Sequence, residues 1–232
     1  MADSQFVPYA LGRVVGVFAG GPKTLQDAHG KWRSSILRDP VLGMAQVETR
    51  GLVGDRATQP YHGSLESAVC FHSTAHYQYW NEHYGMHLAP GGVGENLTLD
   101  GADESNVCVG DTLQIGSTRL QISGPRTPCD TQARRVGAAR RAGADWIELT
   151  LQTLRTGMYA RVLAPGSLQS GDDLLLAARP NPGLTMQALL RCYFHEFDPE
   201  TAERLMIAEG LADKWAERFE RRLRAPLGRG AE

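Results

Sequence analysis

Between residues 109 and 123 the chain carries two short runs in which apolar and polar side chains alternate. Val109, Leu113 and Ile115 mark the first run, Leu120 and Ile122 the second, and the two meet at Gly116-Ser117. Alternation with a period of two belongs to strands, and a two-residue connection containing glycine predicts an antiparallel hairpin. The same pattern recurs from residue 11 to about residue 178. Runs at 12–19, 67–72, 96–99, 158–163 and 173–177 read as further strands, and the run at 96–99 stops at the turn pair Asp100-Gly101. Short strands at this spacing point to a barrel or a sandwich. Glycine supports it: 26 of 232 residues is about 11%, against a usual 7% or so, as many tight turns would need.

Helical signals within this region are few. Ser73 caps an expected helix to about Tyr84, and Asp145 caps another through Leu154. The pattern changes at Arg179-Pro180-Asn181-Pro182-Gly183, a linker by composition. Beyond it Thr185 caps a helix carrying Met186, Leu189, Leu190 and Tyr193. Asp198-Pro199-Glu200 opens a second helix that stops at Gly210, and a third runs over 212–223 with Trp215, Phe219 and Arg222 at helical spacing. The expected fold is therefore mainly β, a β-barrel-like domain over 1–180 with a small C-terminal three-helix subdomain over 181–232.

A chain of this length buries roughly 70% of its unfolded surface and needs no metal or disulfide staple. No run of about 18 apolar residues is present, so no membrane span is expected. The start of the chain shows no signal-peptide pattern, and a cytoplasmic location is the default expectation. The net charge of −2 argues against a dedicated nucleic-acid-binding protein. In the arginine-rich stretch 218–224, Glu220 and the nearby Glu217 interleave the arginines, as on a solvated helix face. The basic residues are 21 Arg and 3 Lys, and arginine forks grip phosphate and carboxylate in two places at once.

Four constellations could carry chemistry. Gly51-Leu52-Val53-Gly54-Asp55-Arg56, followed by Tyr61-His62-Gly63-Ser64, is a glycine-rich polar loop that can bring backbone N–H groups to an anion; it can equally be a hairpin with a surface ion pair. Gly91-Gly92-Val93-Gly94-Glu95-Asn96-Leu97 lacks the strand-before, helix-after setting of a dinucleotide fingerprint. It offers a carboxylate and an amide that suit a pterin or purine edge, unless Asn96 merely satisfies its own backbone. Ser123-Gly124-Pro125-Arg126-Thr127-Pro128-Cys129 holds Arg126 and Cys129 between two prolines at a strand end. With Arg134 and Arg135 beyond it, this cysteine is expected as a thiolate, able to bind a soft metal or act as a nucleophile. Cys70, Cys108 and Cys192 fall in apolar patterns and read as core, and no two of the four cysteines are closer than 21 residues, so zinc-ribbon and iron–sulfur spacings are missing. The fourth set is His72, His76, His83 and His87, within about 60° of one helical face if the helix ran through all four. Packing or surface histidines are the default for it, and a zinc hydrolase the minority reading.

The order Gly-Asp-Arg at 54–56, His-Gly at 62–63, Gly-Glu-Asn-Leu at 94–97, Val-Gly-Asp at 109–111 and Gly-Pro-Arg-Thr-Pro-Cys at 124–129 resembles the MOSC domain family, named after the C-terminal domain of molybdenum cofactor sulfurases. The segment from Ser67 to Trp80 matches as well, and the helical tail with Gly210-Leu211-Ala212 and Trp215 resembles the YiiM-type bacterial subgroup. The resemblance covers about residues 12–224 and implies a β-barrel-like fold that binds the molybdenum cofactor, molybdopterin. It implies reduction of small N-hydroxylated compounds such as hydroxylaminopurine base analogues. The alternative is a cofactor carrier or sulfur-transfer module without turnover; pyridoxal phosphate binding is not expected.

By the same resemblance Cys129 ligates molybdenum, and Arg126 and Arg56 bind the cofactor phosphate or stabilise nearby negative charge. Glu95 and Asn96 recognise the pterin or orient the substrate, and Gly63, Gly94 and Thr127 complete the cofactor-binding set. Asp55 or His62 relays protons. The subgroup's His-Gly-Gly is His62-Gly63-Ser64 here, which adds a side chain to a tight loop. The ferredoxin-like domain of some relatives has no counterpart in these residues, so a separate electron-donor reductase is the expected partner. The apolar tail is equally compatible with a homodimer and with an intramolecular cap.

Overall fold

The computed structural model describes residues 6–27, 30–58, 64–137 and 145–224. Seven strands close into a ring. β1 (Tyr9–Ala19) pairs with β13 (Asp173–Ala178), which pairs with β9 (Thr112–Ile115). The ring continues through β10 (Thr118–Pro125), β11 (Met158–Ala164), β7 (Val69–Ser73) and β8 (Leu97–Asp100), which returns to β1. All pairings in the ring are antiparallel except β7 with β8. Closure leaves no open edge for another chain to extend. The β9–β10 hairpin turns at Gly116-Ser117, with Ile115 opposite Thr118 as the alternation requires. The first expected run is shorter as a strand, because the Asp111 carboxylate accepts from the Cys108 N–H and holds 108–111 in a turn.

Alternate side chains of these strands fill the barrel. Leu97, Leu99, Leu113, Ile115, Leu120, Ile122, Leu174 and Leu176 are fully buried. Short elements absent from the sequence reading surround the rim. β2 (Lys23–Asp27) pairs antiparallel with β3 (Gly30–Ser34), β4 (Asp39–Pro40) pairs with the end of β1, and β5 (Ala45–Glu48) lies between β6 (Gly51–Leu52) and β12 (Gly166–Leu168). These strands are too short, or too polar, to show a period of their own.

Two helical layers pack outside. α1 (Thr74–Tyr84) is capped by the Ser73 hydroxyl and ends at left-handed Gly85; α3 (Trp146–Thr153) is capped by Asp145, both as expected. Between them α2 (Asp130–Gly137) was not anticipated. These three helices share a small apolar cluster in which Trp80 and Trp146 lie 5.3 Å apart. The C-terminal layer is α4 (Met186–Phe194), α5 (Pro199–Met206) and α6 (Asp213–Arg224). Its Leu189, Leu205, Trp215 and Phe219 belong to the same continuous core as the barrel leucines. Trp215 lies against Gly124, where a Cβ would come within 2.7 Å of the indole ring. That close approach seats α6 beside the end of β10. Along α6 the arginines pair with Glu217 and Glu220 or lie over Trp215, Tyr193 and Phe197, as a solvated face should. No helix among the described residues is long and apolar enough to cross a membrane.

Candidate functional site

The end of β10 delivers the sharpest motif into a cavity of about 410 Å³. Pro125 is still paired with Met158, and the next N–H, that of Arg126, donates to the Gly157 carbonyl at 2.9 Å. The chain then breaks at Pro128, and the Cys129 carbonyl accepts the Ala133 N–H at 2.9 Å to open α2. A strand end and a helix start thus hold Arg126, Thr127 and Cys129 on one wall. Cys129 is partly exposed, whereas Cys70, Cys108 and Cys192 are buried.

Opposite them stands a closed polar network. Arg38 grips Asp55 with two bonds, Nε to Oδ1 at 2.7 Å and Nη2 to Oδ2 at 2.9 Å. The Gly20 N–H also donates to Oδ1, and the Asn96 amide to Oδ2, both at 3.0 Å. Asn96 in turn accepts the Cys70 N–H at 3.0 Å and donates to the Phe18 carbonyl. These bonds tie β1, β7 and the 91–97 loop together. Gly94 makes the loop possible, with φ +77° and no room for a Cβ, which would lie 2.7 Å from the Ile36 carbonyl oxygen.

Several expected site residues take other places. Glu95 is fully buried and does not line the cavity; its Oε1 accepts from the Tyr77 hydroxyl, the Gly91 N–H and the Thr98 hydroxyl. Oε1 thereby closes its own loop, while the buried Oε2 has no hydrogen-bond partner among the described residues. Asp55 lines the cavity, but both its oxygens are occupied, so it is an anchor for Arg38 and not a free proton carrier. Arg56 is exposed over Gly21 and lies outside the cavity, whereas Arg38 lines it. Arg134 is drawn away by Asp27 and lies over Trp32, so the cation beside Cys129 is Arg126. Cys70 is buried as expected, yet it also contributes to the cavity wall. His62 and Gly63 lie outside the described residues.

The histidine set does not gather. His72 sits on β7 and His83 on the last turn of α1, stacked on Tyr79, while His87 follows the helix. Only His72 and His76 meet, 4.7 Å between ring centres, and His76 pairs with buried Glu104 at 2.9 Å. No group of three His, Cys, Asp or Glu that could by itself hold a metal ion occurs among the described residues.

The electrostatics of the cavity centre on Arg126, which is 5% exposed and whose Nη1 has no hydrogen-bond partner. Burial works against its charge, but Cys70, Tyr159, Cys129 and Glu95 around it raise its pKa overall. Burial pushes the Cys70 thiol up, opposed by Arg126 and Arg38, and pushes the Tyr159 phenol up to about 12. Lys214 reaches the cavity from α6, with Nζ 5.1 Å from the centre of the Tyr159 ring; burial and Arg218 lower its pKa. Arg33, Arg38, Arg50 and Lys214 were not foreseen, because their positions depend on pairings far away in the chain.

A barrel whose strand end presents Arg126 and Cys129 on one cavity wall defines the class of protein. The chain belongs to the MOSC domain family, which it matches over residues 58–175. More narrowly it is a MOSC protein of the YiiM type. It is 30% identical to protein YiiM of Escherichia coli over 82% of this chain and 84% of that protein. It is 31% identical to the uncharacterized protein YflK of Bacillus subtilis over 89% of this chain and 92% of that one. The crystal structure of YiiM from Geobacillus stearothermophilus superposes with a TM-score of 0.75 at 29% identity, covering 91% of this chain and 98% of that chain. A protein of Gibberella moniliformis named a reductase shares 30% identity over 70% of this chain, which spans 29% of its length.

The family is associated with the molybdenum cofactor, and the residues present fit such a group. A soft thiol stands on the wall, a buried guanidinium has an unused donor for an anion, and the cavity lies in the usual size range for cofactors.

Proposed function

We propose that this chain is a molybdenum-cofactor-dependent reductase of N-hydroxylated compounds, hydroxylaminopurine-type bases among them, supplied with electrons by a separate reductase. The observation that carries the reading is the pairing of a partly exposed Cys129 with the buried Arg126, whose Nη1 has no partner among the described residues, on one cavity wall. The reductase name of the fungal relative supports an oxidoreductase role.

When bound, the cofactor would supply the two electrons that cleave the N–O bond, the oxygen leaving in the end as water. The chain's own residues hold and orient. Cys129 Sγ is the metal ligand, and Arg126 Nη1 donates to the phosphate or to nearby negative charge. Thr127, from the same rigid loop, offers a hydroxyl. Asp55 and Asn96 keep Arg38 and β7 in register behind the cavity. Converting N–OH to N–H also needs two protons, and His62 is assigned to that relay because an imidazole titrates near neutrality.

The test is metal and pterin analysis of the full chain from molybdate-supplied cells, wild type against Cys129→Ser, followed by reduction of an N-hydroxylated base with an artificial electron donor. Wild type should carry molybdenum and turn over, and the variant should lose both. Equal molybdenum in the two would remove the ligand role. Molybdenum-loaded wild type without turnover would make the protein a cofactor carrier or sulfur-transfer module.

A further inference from the structure

Among the described residues, five cations line the cavity, Arg33, Arg38, Arg50, Arg126 and Lys214, against one carboxylate, Asp55. Asp55 is already gripped by Arg38. The other four cations have no ion-pair partner among the described residues, although the Glu66 charge acts on Lys214, and Arg126 is buried with an unpaired Nη1. A concave wall of one sign concentrates anions. A pterin cofactor brings one phosphate monoester, with a charge of about −2 at neutral pH. That group can neutralise Arg126 and one neighbour, and it leaves a surplus of positive charge. The remaining cations stand on separate elements: Arg33 on β3, Arg50 in the β5–β6 turn, Lys214 in the first turn of α6. Arg33, Arg50 and Lys214 are exposed, and Lys214 also reaches the Tyr159 ring and the Ser67 hydroxyl.

A free hydroxylaminopurine is uncharged and leaves that surplus unmet. We infer that Arg33, Arg50 and Lys214 receive a second phosphate, carried by the substrate, so that the preferred substrates are N-hydroxylated purine nucleotides rather than the free bases or nucleosides. This deepens the reading proposed above and rests on it. It also makes α6 a contributor to substrate choice, through Lys214.

The experiment uses the cofactor-loaded full chain with an artificial electron donor and three substrates that share one N–OH group: the base, the ribonucleoside and its 5′-monophosphate. The monophosphate should have a kcat/KM about ten-fold or more above the other two at low salt. The advantage should shrink as salt shortens the Debye length from about 30 to about 8 Å. Arg33→Gln with Arg50→Gln, and separately Lys214→Gln, should each reduce the ratio of nucleotide to base efficiency. Adenosine 5′-monophosphate, which cannot be reduced, should bind the wild type in calorimetry and bind the double variant more weakly. Equal use of the three substrates, or a ratio unmoved by the variants, overturns the inference while leaving the reductase reading intact. Reduction of none of them overturns the reductase reading, and the calorimetric arm still decides whether the wall binds a nucleotide phosphate.

Discussion

Arg38 and Arg126 line the same cavity and live under opposite rules. Arg38 gives two donors to Asp55, and Asp55 fills its remaining capacity with Gly20 and Asn96. Arg126 is more deeply buried and, among the described residues, pairs with no carboxylate and leaves Nη1 unused. A guanidinium with a full set of partners holds a structure together. One buried without a partner lowers stability, because desolvation is not offset, and it is tolerated where a ligand completes it. The contrast separates the back of the cavity, which is scaffold, from the wall that carries the chemistry.

The contrast can be broken by removing each charge. Arg38→Met strands the buried Asp55 carboxylate, and denaturant unfolding should show a loss of about 3–5 kcal/mol. Cys129→Ser should lower reduction of an N-hydroxylated base by about a hundred-fold, near 2.7 kcal/mol, with an unfolding midpoint close to wild type. Arg126→Met should behave oppositely to Arg38→Met. The cofactor-free protein keeps or slightly gains stability, while retained pterin falls by about ten-fold, read as pterin per protein after gel filtration.

The smallest effect is pH-dependent and sharpens the picture behind the wall. His72 is fully buried with neither ring nitrogen partnered; burial, His76 and Arg126 hold its pKa well below the ordinary 6.5. The folded protein therefore keeps it neutral while the unfolded chain takes up a proton below 6.5. Stability should fall as pH drops through that value, with a slope of at most about 1.4 kcal/mol per unit from this group. His72→Leu should flatten that segment. Glu104 acts in a lower window. Burial opposes its charge, but His76 and the Gly157 N–H hold its pKa below 4.5. Its contribution is present above 4.5 and is lost as pH falls through the lower folded value.

Much of this was legible before any coordinates. The hairpin at Gly116-Ser117, the caps Ser73, Asp145, Thr185 and Asp198, and the linker before the three C-terminal helices are local signals, and each fell within a few residues of its expected place. The prolines around Arg126 and Cys129 likewise marked the wall. Legibility failed where the partner was remote. Arg38 reaches Asp55 17 positions away and Asn96 meets Asp55 across 41, while Lys214 arrives beside Ser67 from 147 positions on. Arg134 illustrates the converse. Its closeness to Cys129 in sequence suggested a role at the thiol, and α2 turned it toward Asp27 instead.

The sequence by itself determined the longer strands, the helix N-caps, and the rigid loop that carries Arg126 and Cys129, because turn, cap and proline preferences act within a few residues. Only the tertiary structure decided which polar groups are saturated and which are left for a ligand. Ring closure brings β7, β11, the loop before β8 and the loop after β10 to one cavity, and whether a charged side chain finds a partner there depends on distances that no local pattern encodes.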